Sequence, residues 1–361
     1  MKSLIVIIYD GIANSVFESQ VLQPLIRQKQ QTPYLDIHIV SFEKQTTVGT
    51  PNINGINFHI FKKYPFVHHM ALIPAIIKLR RFLTSFTDYQ LLARGPFAGY
   101  IAHKSATSTC CSVTIQARGL VAEEYRYTIE NSRLTLIQTY RYKQFLHLEK
   151  KVYALNKKHI TFQAVSPALK NYLTKTFGTK KETISIAQHD IPSAIHTDQH
   201  IVKTQSIRTQ LHVDQNKFVY CYNGSFKPWQ CPHETIAFFK KQLIKDQHAF
   251  LLILTPDITL FKNALEHAHI KKEFYHICTV TQADLPVYIA AAQAGLLFRK
   301  PHIINTISRP TKALDYQAAG LHIIHNGTVE YVNNMPNTTL ISPYDFKVLL
   351  ANHKNTLNNQ Q

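Results

Sequence analysis

Short apolar runs alternate with longer mixed segments along the whole chain, and this alternation limits the possible folds more than any other feature. Leu4 to Tyr9 is a near-continuous apolar run, as is typical of a strand buried on both faces of a parallel sheet. Helical spacing follows over Ser15 to Gln30, and further strands are indicated at Ile37 to Phe42, Tyr89 to Ala93 and Ser112 to Gln116. Repeated strand-helix units of this kind predict a doubly wound α/β domain.

A second series of strand-helix units follows a polar, weakly periodic stretch at 178–205. We therefore predict two Rossmann-like domains facing a cleft. The predicted boundaries are 1–185 for the N-terminal domain, 186–210 for a linker, 211–343 for the C-terminal domain, and 344–361 for a terminal helix, Tyr344 to His353, with a polar tail. Ligands of such sheets bind beyond the carboxyl ends of the strands, so the cleft is the expected site.

The net charge indicates the kind of ligand that the protein binds, and the cysteine content indicates the cellular compartment. Lysine and arginine total 40 against 22 acidic residues, and this excess of +18 favours anionic ligands or surfaces. Five cysteines without a C-x-x-C motif provide neither a disulfide framework nor a zinc ribbon, which indicates reduced thiols in a cytoplasm. The first apolar run is too short for a signal peptide, and the histidines carry no H-E-x-x-H pattern, so we expect no secretion and no metal.

The segment at 307–326, ISRPTKALDYQAAGLHIIHN, is the most informative about function. Ser308 is the predicted N-cap of a helix, Pro310 suits an early helical position, and Gly320 suits the C-terminal cap. Lys312 and Asp315 are three residues apart and so share one side near the helix N-terminus, which favours anions. This pattern predicts a diphosphate-binding site with an acidic residue beside it. The alternative is that Lys312 and Asp315 form an exposed ion pair.

The segment at 218–233, FVYCYNGSFKPWQCPH, predicts a second part of the same site. A strand ends at Tyr222, Asn223-Gly224 allows a tight turn, and Lys227 follows, either presented to a ligand or simply solvated. Neither G-x-x-x-x-G-K-[ST] nor G-x-G-x-x-G occurs, so the usual nucleoside triphosphate and dinucleotide motifs are missing.

These two segments resemble the retaining nucleotide-sugar glycosyltransferases of the GT-B fold, also called group 1 or family 4 glycosyltransferases. The donor-helix pattern P-x-K-x-x-[DE]-Y-x-A-x-G is matched at Pro310, Lys312, Asp315, Tyr316, Ala318 and Gly320. Blocks similar to the family's N-terminal domain are collinear with these: YDGIANSVFESQVLQPL, LLARGPFAGYIA, VTIQARGLVAEE and FQAVSPALKNYL. The resemblance covers about the whole chain.

The resemblance implies transfer of a sugar from a nucleoside diphosphate-sugar to a glycan or lipid-linked acceptor, with retention and without a cofactor or metal. It implies catalytic roles for Lys227, Lys312 and Asp315, the two lysines stabilising the leaving β-phosphate. Further implied donor contacts are Gly224, Ser225, Thr281, Arg299, Pro310 and Thr311, and the implied acceptor contacts are Asp10, Gly11, Arg94 and Arg118.

Three alternatives stay open. The family often carries acids where this chain has Ile307 and Gln116, which leaves room for a non-catalytic nucleotide-binding protein. The positive net charge makes nucleic-acid binding an alternative function, although no RNP, KH, zinc-finger or basic-zipper signature occurs in the sequence. The segment Phe61 to Phe86 is either a Rossmann helix or a basic element that docks the protein on the inner face of the cell membrane; its cations are Lys62, Lys63, Lys78, Arg80 and Arg81.

Overall fold

The computed structural model describes residues 3–13, 15–45, 47, 49–65, 68–106, 112–129, 135–188, 206–211, 213–342 and 345–346. The chain divides into two compact units, 1–190 and 191–361. Each unit is an α/β domain built on one parallel sheet, of seven strands in the first unit and six in the second. The predicted fold class, two Rossmann-like domains, is confirmed.

The sheet of the N-terminal unit places its most apolar strand near the centre. Its strands are β1 (Ser3–Ile8), β2 (Asp36–Glu43), β3 (Ile56–Lys62), β4 (Tyr89–Arg94), β5 (Ser112–Ala117), β6 (Ile160–Ala164) and β7 (Ile184–Ile186). They are ordered β3-β2-β1-β4-β5-β6-β7. Every residue of β1 is buried, because β2 and β4 flank this strand and helices or side chains cover both of its faces.

In the part of this unit that the structure describes, seven α-helices connect the strands. They are α1 (Ser15–Phe17), α2 (Gln23–Gln31), α3 (Ile73–Leu83), α4 (Gly95–Ser105), α5 (Val121–Thr128), α6 (Leu136–Tyr153) and α7 (Pro167–Phe177). A π-helical segment, Glu18–Leu22, joins α1 to α2. Local sequence sets the ends of the longest ones: Thr135 and Gln138 form a capping box at the start of α6, and Gly178, in the left-handed region at φ 72°, ends α7.

One face of this sheet is polar over β4, β5 and β6. The steps from β1 to β2 and from β2 to β3 run in the opposite direction to the steps from β3 to β7, so right-handed crossovers put α1 and α2 on one face and α3 to α7 on the other. On the face of α4, the strands carry buried apolar side chains such as Leu91, Ile115 and Phe162. On the face of α2, alternate positions are polar instead, among them Gln90, Thr114 and Gln163.

The sheet of the C-terminal unit is apolar on both faces. Its strands, ordered β10-β9-β8-β11-β12-β13, are β8 (Phe218–Asn223), β9 (Ala249–Leu254), β10 (Tyr275–Cys278), β11 (Ala294–Leu297), β12 (His322–His325) and β13 (Thr338–Leu340). The helices are α8 (206–210), α9 (Pro232–Lys245), α10 (Ile258–His267), α11 (Leu285–Ala290), α12 (Ile303–Thr306), α13 (Thr311–Ala318) and α14 (Glu330–Asn333). Strand β8 contributes Val219 and Cys221 to one core cluster and Tyr222 to the other.

Two local predictions differ from the structure, and a third falls almost entirely outside the described residues. The polar stretch predicted from 178 onwards contains β7, whose Ile184 pairs with Phe162 of β6. Ser308 is not the N-cap of α13: its hydroxyl donates to the carbonyl of Asn305 at 2.8 Å, and Pro310 precedes the helix without a side-chain cap. The predicted terminal helix, Tyr344 to His353, falls outside the described residues except at 345–346. Among the helices described, none is both long and apolar enough to cross a membrane.

Candidate functional site

Most of the predicted donor residues lie at one edge of the C-terminal sheet. Because its strands are parallel, their carboxyl ends meet at the same edge. Residues 224–231 follow β8, Thr281 follows β10, and Arg299 follows β11. The first turn of α13, which leads back to β12, carries Thr311 and Lys312. The structure therefore brings the loop after β8, the loop after β11 and the start of α13 together.

Gly224 lets the backbone approach two functional side chains. Its φ of 147° lies where a residue with a Cβ is strained. A Cβ built there would stand 2.4 Å from the Gln230 Oε1 atom and 2.9 Å from the Lys312 Nζ atom. The backbone conformation favours glycine at this position, and a Cβ would also require the ends of the Gln230 and Lys312 side chains to move.

Lys312 is buried and has an amide as its hydrogen-bond partner. Only 5% of the residue is exposed, and Nζ donates to Gln230 Oε1 at 3.0 Å. The ammonium also lies 4.4 Å from the centroid of the Tyr222 ring, within cation–π range. The same Gln230 side chain donates to the Ser225 hydroxyl at 3.0 Å. The alternative of an exposed lysine-aspartate pair is wrong for Lys312, since this lysine is inside the protein.

A second buried cation stands beside Lys312. Arg299 is 8% exposed, and its Nε has no hydrogen-bond partner among the residues that the structure describes. Asn326 fixes the Arg299 backbone, accepting from its N–H at 3.2 Å and donating to its carbonyl at 2.8 Å. Burial lowers the pKa of Arg299, and burial together with the Arg299 charge holds the pKa of Lys312 well below its ordinary value. Two desolvated cations side by side favour an anionic ligand.

Asp315 lies near Lys312 but neutralises only part of its positive charge. Its side chain is half-buried, and this burial raises its pKa to about 7, against the opposing effect of Lys312. A substantial fraction of Asp315 is therefore protonated near neutral pH, and the protonated carboxyl can donate a hydrogen bond to a ligand hydroxyl.

The remaining predicted donor residues lie around this group, with different exposure. Lys227 is exposed on the loop after β8, and its carbonyl accepts from the Gln230 N–H at 2.8 Å. The Thr281 hydroxyl donates to Asp284 at 2.7 Å and so shapes the turn before α11. Pro310 and Thr311 form the start of α13, where the first backbone N–H groups lack intrahelical partners. Ile307, at the position where the family often has an acid, is buried.

Sequence reasoning missed several residues that build the site. Gln230 and Tyr222 hold Lys312, and no pattern in the sequence marks a neutral loop amide for this role. Tyr316 anchors α13: its hydroxyl donates to the Cys221 carbonyl at 3.3 Å and accepts from the Asn223 N–H at 2.9 Å. Tyr316 could have been found, because it belongs to the matched pattern P-x-K-x-x-[DE]-Y.

The four predicted acceptor residues form a second group, in the N-terminal unit. The Arg94 Nε lies 3.4 Å from the Asp10 Oδ2, with Asp10 largely exposed and the Arg94 side chain buried. Gln20, from the π-helical segment, accepts from both Arg94, at 3.0 Å, and Arg118. Gly11, at φ 89°, turns the chain after β1, and its Cβ position is 3.1 Å from Glu43. Arg94 and Arg118, at the ends of β4 and β5, thus meet at Gln20, and Arg94 also contacts Asp10 after β1.

Comparison with solved structures identifies this architecture as the GT-B glycosyltransferase fold. WaaG, a glycosyltransferase involved in lipopolysaccharide biosynthesis, is 12% identical at a TM-score of 0.64, with 97% of this chain and 88% of that chain covered. Sucrose-phosphate synthase from Thermosynechococcus elongatus is 12% identical at 0.66, over 99% and 90%. HepE of Anabaena, solved in complex with UDP, is 14% identical at 0.63, over 100% and 91%.

The sequence itself gives no such match. No protein-family model matches the chain, and no curated protein matches it significantly. At identities this low the structural similarity establishes the fold, and the chemistry has to be argued from the side chains.

Proposed function

We propose that the protein is a glycosyltransferase that moves a sugar from a nucleoside diphosphate-sugar to an acceptor. The observation that carries the proposal is the pair of buried cations, Lys312 and Arg299, at the carboxyl edge of the C-terminal sheet. An anion is the ligand that such a pair lacks, and this edge is where parallel sheets bind their ligands. The glycosyltransferase fold, and the UDP that HepE binds, support a nucleoside diphosphate as that anion.

In the proposed reaction, negative charge grows on the leaving diphosphate while the anomeric carbon becomes oxocarbenium-like. Lys312 and Arg299 stabilise that charge in a site with little water, where electrostatic interactions are strong. The exposed side chain of Lys227 binds the outer phosphate oxygens through its ammonium group. Asp315 binds a hydroxyl of the sugar or the ribose.

We propose retention of the anomeric configuration, as the resemblance to the retaining glycosyltransferases implies. Asp315, the carboxyl described beside the two cations, binds a ligand hydroxyl in this scheme and does not act as a nucleophile. The departing phosphate then takes the proton of the acceptor hydroxyl on the same face of the sugar. The acceptor binds at Asp10, Gly11, Arg94 and Arg118. This scheme needs no cofactor and no metal ion; the nucleotide-sugar is a co-substrate.

Isothermal titration with UDP, ADP and GDP tests the donor site. We expect one diphosphate to bind, and Lys312→Met to weaken it by about tenfold or more, since a charge-assisted hydrogen bond is lost. Lys262→Met is the matched control, because Lys262 is exposed on α10. Absence of binding by all three nucleotides, or equal effects of the two substitutions, would contradict the proposal. Binding without turnover of any UDP-, ADP- or GDP-sugar would favour the non-catalytic alternative.

We also propose that a lipid-linked acceptor is met at the cytoplasmic membrane face through α3. The segment Phe61 to Phe86 is not one basic helix: Lys62 ends β3, and Lys63 lies 4.2 Å from the Tyr9 ring. Exposed Met70, Ile73 and Ile77 do share one side of the α3 region, with Arg80 and Arg81 exposed at its end. This is the composition of a surface that binds anionic lipid.

Co-sedimentation with vesicles tests the membrane proposal. Binding to anionic but not to neutral vesicles is expected, and both Ile73→Gln/Ile77→Gln and Arg80→Gln/Arg81→Gln should reduce it. Ile244→Gln, an exposed isoleucine in the C-terminal unit, serves as the control. Vesicle binding that is the same for anionic and neutral lipid, and unchanged by these substitutions, would contradict docking through α3.

A further inference from the structure

The polar face of the N-terminal sheet holds a cavity of about 530 Å³ beside α2. This volume is in the range of small-molecule sites, about 300 to 1,000 Å³. Leucine, valine and proline side chains form its apolar lining. Its polar lining is dominated by six amides: Gln20, Gln28, Gln31, Gln90, Gln116 and Gln163.

The amides come from separate elements and converge on one space. Gln28 and Gln31 project from α2, Gln90 from β4, and Gln116 and Gln163 from the adjacent strands β5 and β6. The last two fix each other, since Gln116 Nε2 donates to Gln163 Oε1 at 2.9 Å. Gln28, Gln31 and Gln90 are exposed, Gln20 and Gln163 are half-buried, and Gln116 is buried, so the cavity is open to solvent and its amides are accessible to a ligand.

The chemistry of this lining selects a neutral, hydroxyl-rich ligand. An amide both donates and accepts hydrogen bonds, as a sugar hydroxyl does, and the apolar lining can pack against the C–H face of a sugar ring. Among the described lining residues there is no carboxylate, and Arg27 is the one charged group. A phosphate or nucleotide would need more positive charge than this cavity offers.

Gln20 lies between the cavity and the predicted acceptor-binding residues. It lines the cavity, and its Oε1 accepts hydrogen bonds from Arg94 and Arg118. A ligand bound at those arginines and extending past Gln20 would enter the cavity directly.

We propose that this cavity binds neutral sugar units of the acceptor, so that the acceptor is an oligosaccharide longer than the unit that receives the new sugar. Assigning the bound sugars to an acceptor depends on the proposed glycosyltransferase function. The binding of sugars in the cavity does not depend on it.

Saturation-transfer NMR with the full chain tests the proposal, using maltotriose, cellotriose and chitotriose as probes. At least one trisaccharide should bind, and Gln28→Leu and Gln90→Leu should each weaken it by about fivefold, as expected for the loss of a ligand hydrogen bond. Gln30→Leu should have no effect; Gln30 is an exposed neighbour on the same helix and does not line the cavity.

The proposal is overturned if none of the three trisaccharides binds, or if Gln30→Leu weakens binding as much as Gln28→Leu and Gln90→Leu do. A parallel titration with UDP, ADP and GDP separates the two proposals. Trisaccharide binding without nucleotide binding would keep the sugar subsite and remove the glycosyltransferase function. Nucleotide binding without trisaccharide binding would remove the subsite alone.

Discussion

The Lys312 ammonium donates to the amide oxygen of Gln230 at 3.0 Å, inside the protein and beside Arg299. A neutral amide satisfies one N–H of the lysine without neutralising its charge. A carboxylate at the same place would form a buried ion pair and compete with any anionic ligand. The choice of glutamine therefore keeps the site ready for a phosphate, at the cost of a desolvated cation in the free protein.

Replacing Gln230 by glutamate should separate stability from binding. The new carboxylate would pair with Lys312, so we expect a higher melting temperature together with a loss of nucleoside diphosphate affinity of about tenfold or more. Differential scanning fluorimetry and isothermal titration measure the two effects. Gln317→Glu makes the same charge change at an exposed position of α13 and should alter neither property. A Gln230→Glu variant that binds UDP, ADP and GDP as the wild type does would refute this role of the amide.

Nucleotide binding should take up protons. In the free protein, burial and Arg299 depress the pKa of Lys312, and a bound diphosphate would raise it again. The same negative charge would raise the pKa of Asp315 further above 7. Both changes have the same sign, so titrations at pH 7.5 in HEPES and in Tris buffer, which contain no phosphate, should show net proton uptake, with a smaller value for Lys312→Met. Proton release on binding would contradict this account.

Asp315 should make the free protein less stable as the pH rises from about 4 to about 7. Its pKa is 3.8 in the reference state and about 7 in the fold, so the folded state binds more protons than the unfolded state within this window. The stability due to the protonated carboxyl is complete below the unfolded pKa and is lost as the pH rises through the folded pKa. Urea denaturation of wild type and Asp315→Asn at pH 5 and 7.5 measures the difference. We expect the Asp315→Asn variant to gain about 2 kcal/mol relative to wild type at the higher pH, allowing for partial solvent screening.

The sequence predicts strongly where apolar patterns are strong and weakly at sheet edges. Central strands such as β1 and β9 are buried on both faces and are recognisable from apolar runs. Strand β7 is not recognisable, because it has three residues, one of them exposed, and among the described strands it pairs with β6 alone. Edge strands need no continuous apolar run, since solvent covers part of their surface.

In the candidate donor site, too, some residues are predictable from the sequence and others are not. Lys312 and Tyr316 both belong to the matched pattern on α13, where the spacing is fixed by the helix. The pattern predicts a role for Lys312, and it contains the signal for Tyr316 as well. The contrast between exposed Lys227 and inward-facing Gln230 is set by a single 3₁₀ turn, Pro228–Gln230. One residue of offset in such a turn changes which side chain meets Lys312, and composition carries no information about it.

Gly224→Ala should damage the donor site more than the fold. Alanine is strained at φ 147°, and its Cβ would collide with Gln230 Oε1 and crowd Lys312 Nζ, at 2.4 and 2.9 Å. The ends of those two side chains must then move or the loop must shift, so we expect a loss of nucleoside diphosphate affinity of about tenfold or more and a destabilisation of about 1 to 3 kcal/mol. Titration with UDP, ADP and GDP and urea denaturation provide the two values. Gly49→Ala is the matched control, because no atom lies within 4 Å of its Cβ position. Unchanged nucleotide affinity in Gly224→Ala would mean that the Lys312–Gln230 contact does not contribute to anion binding.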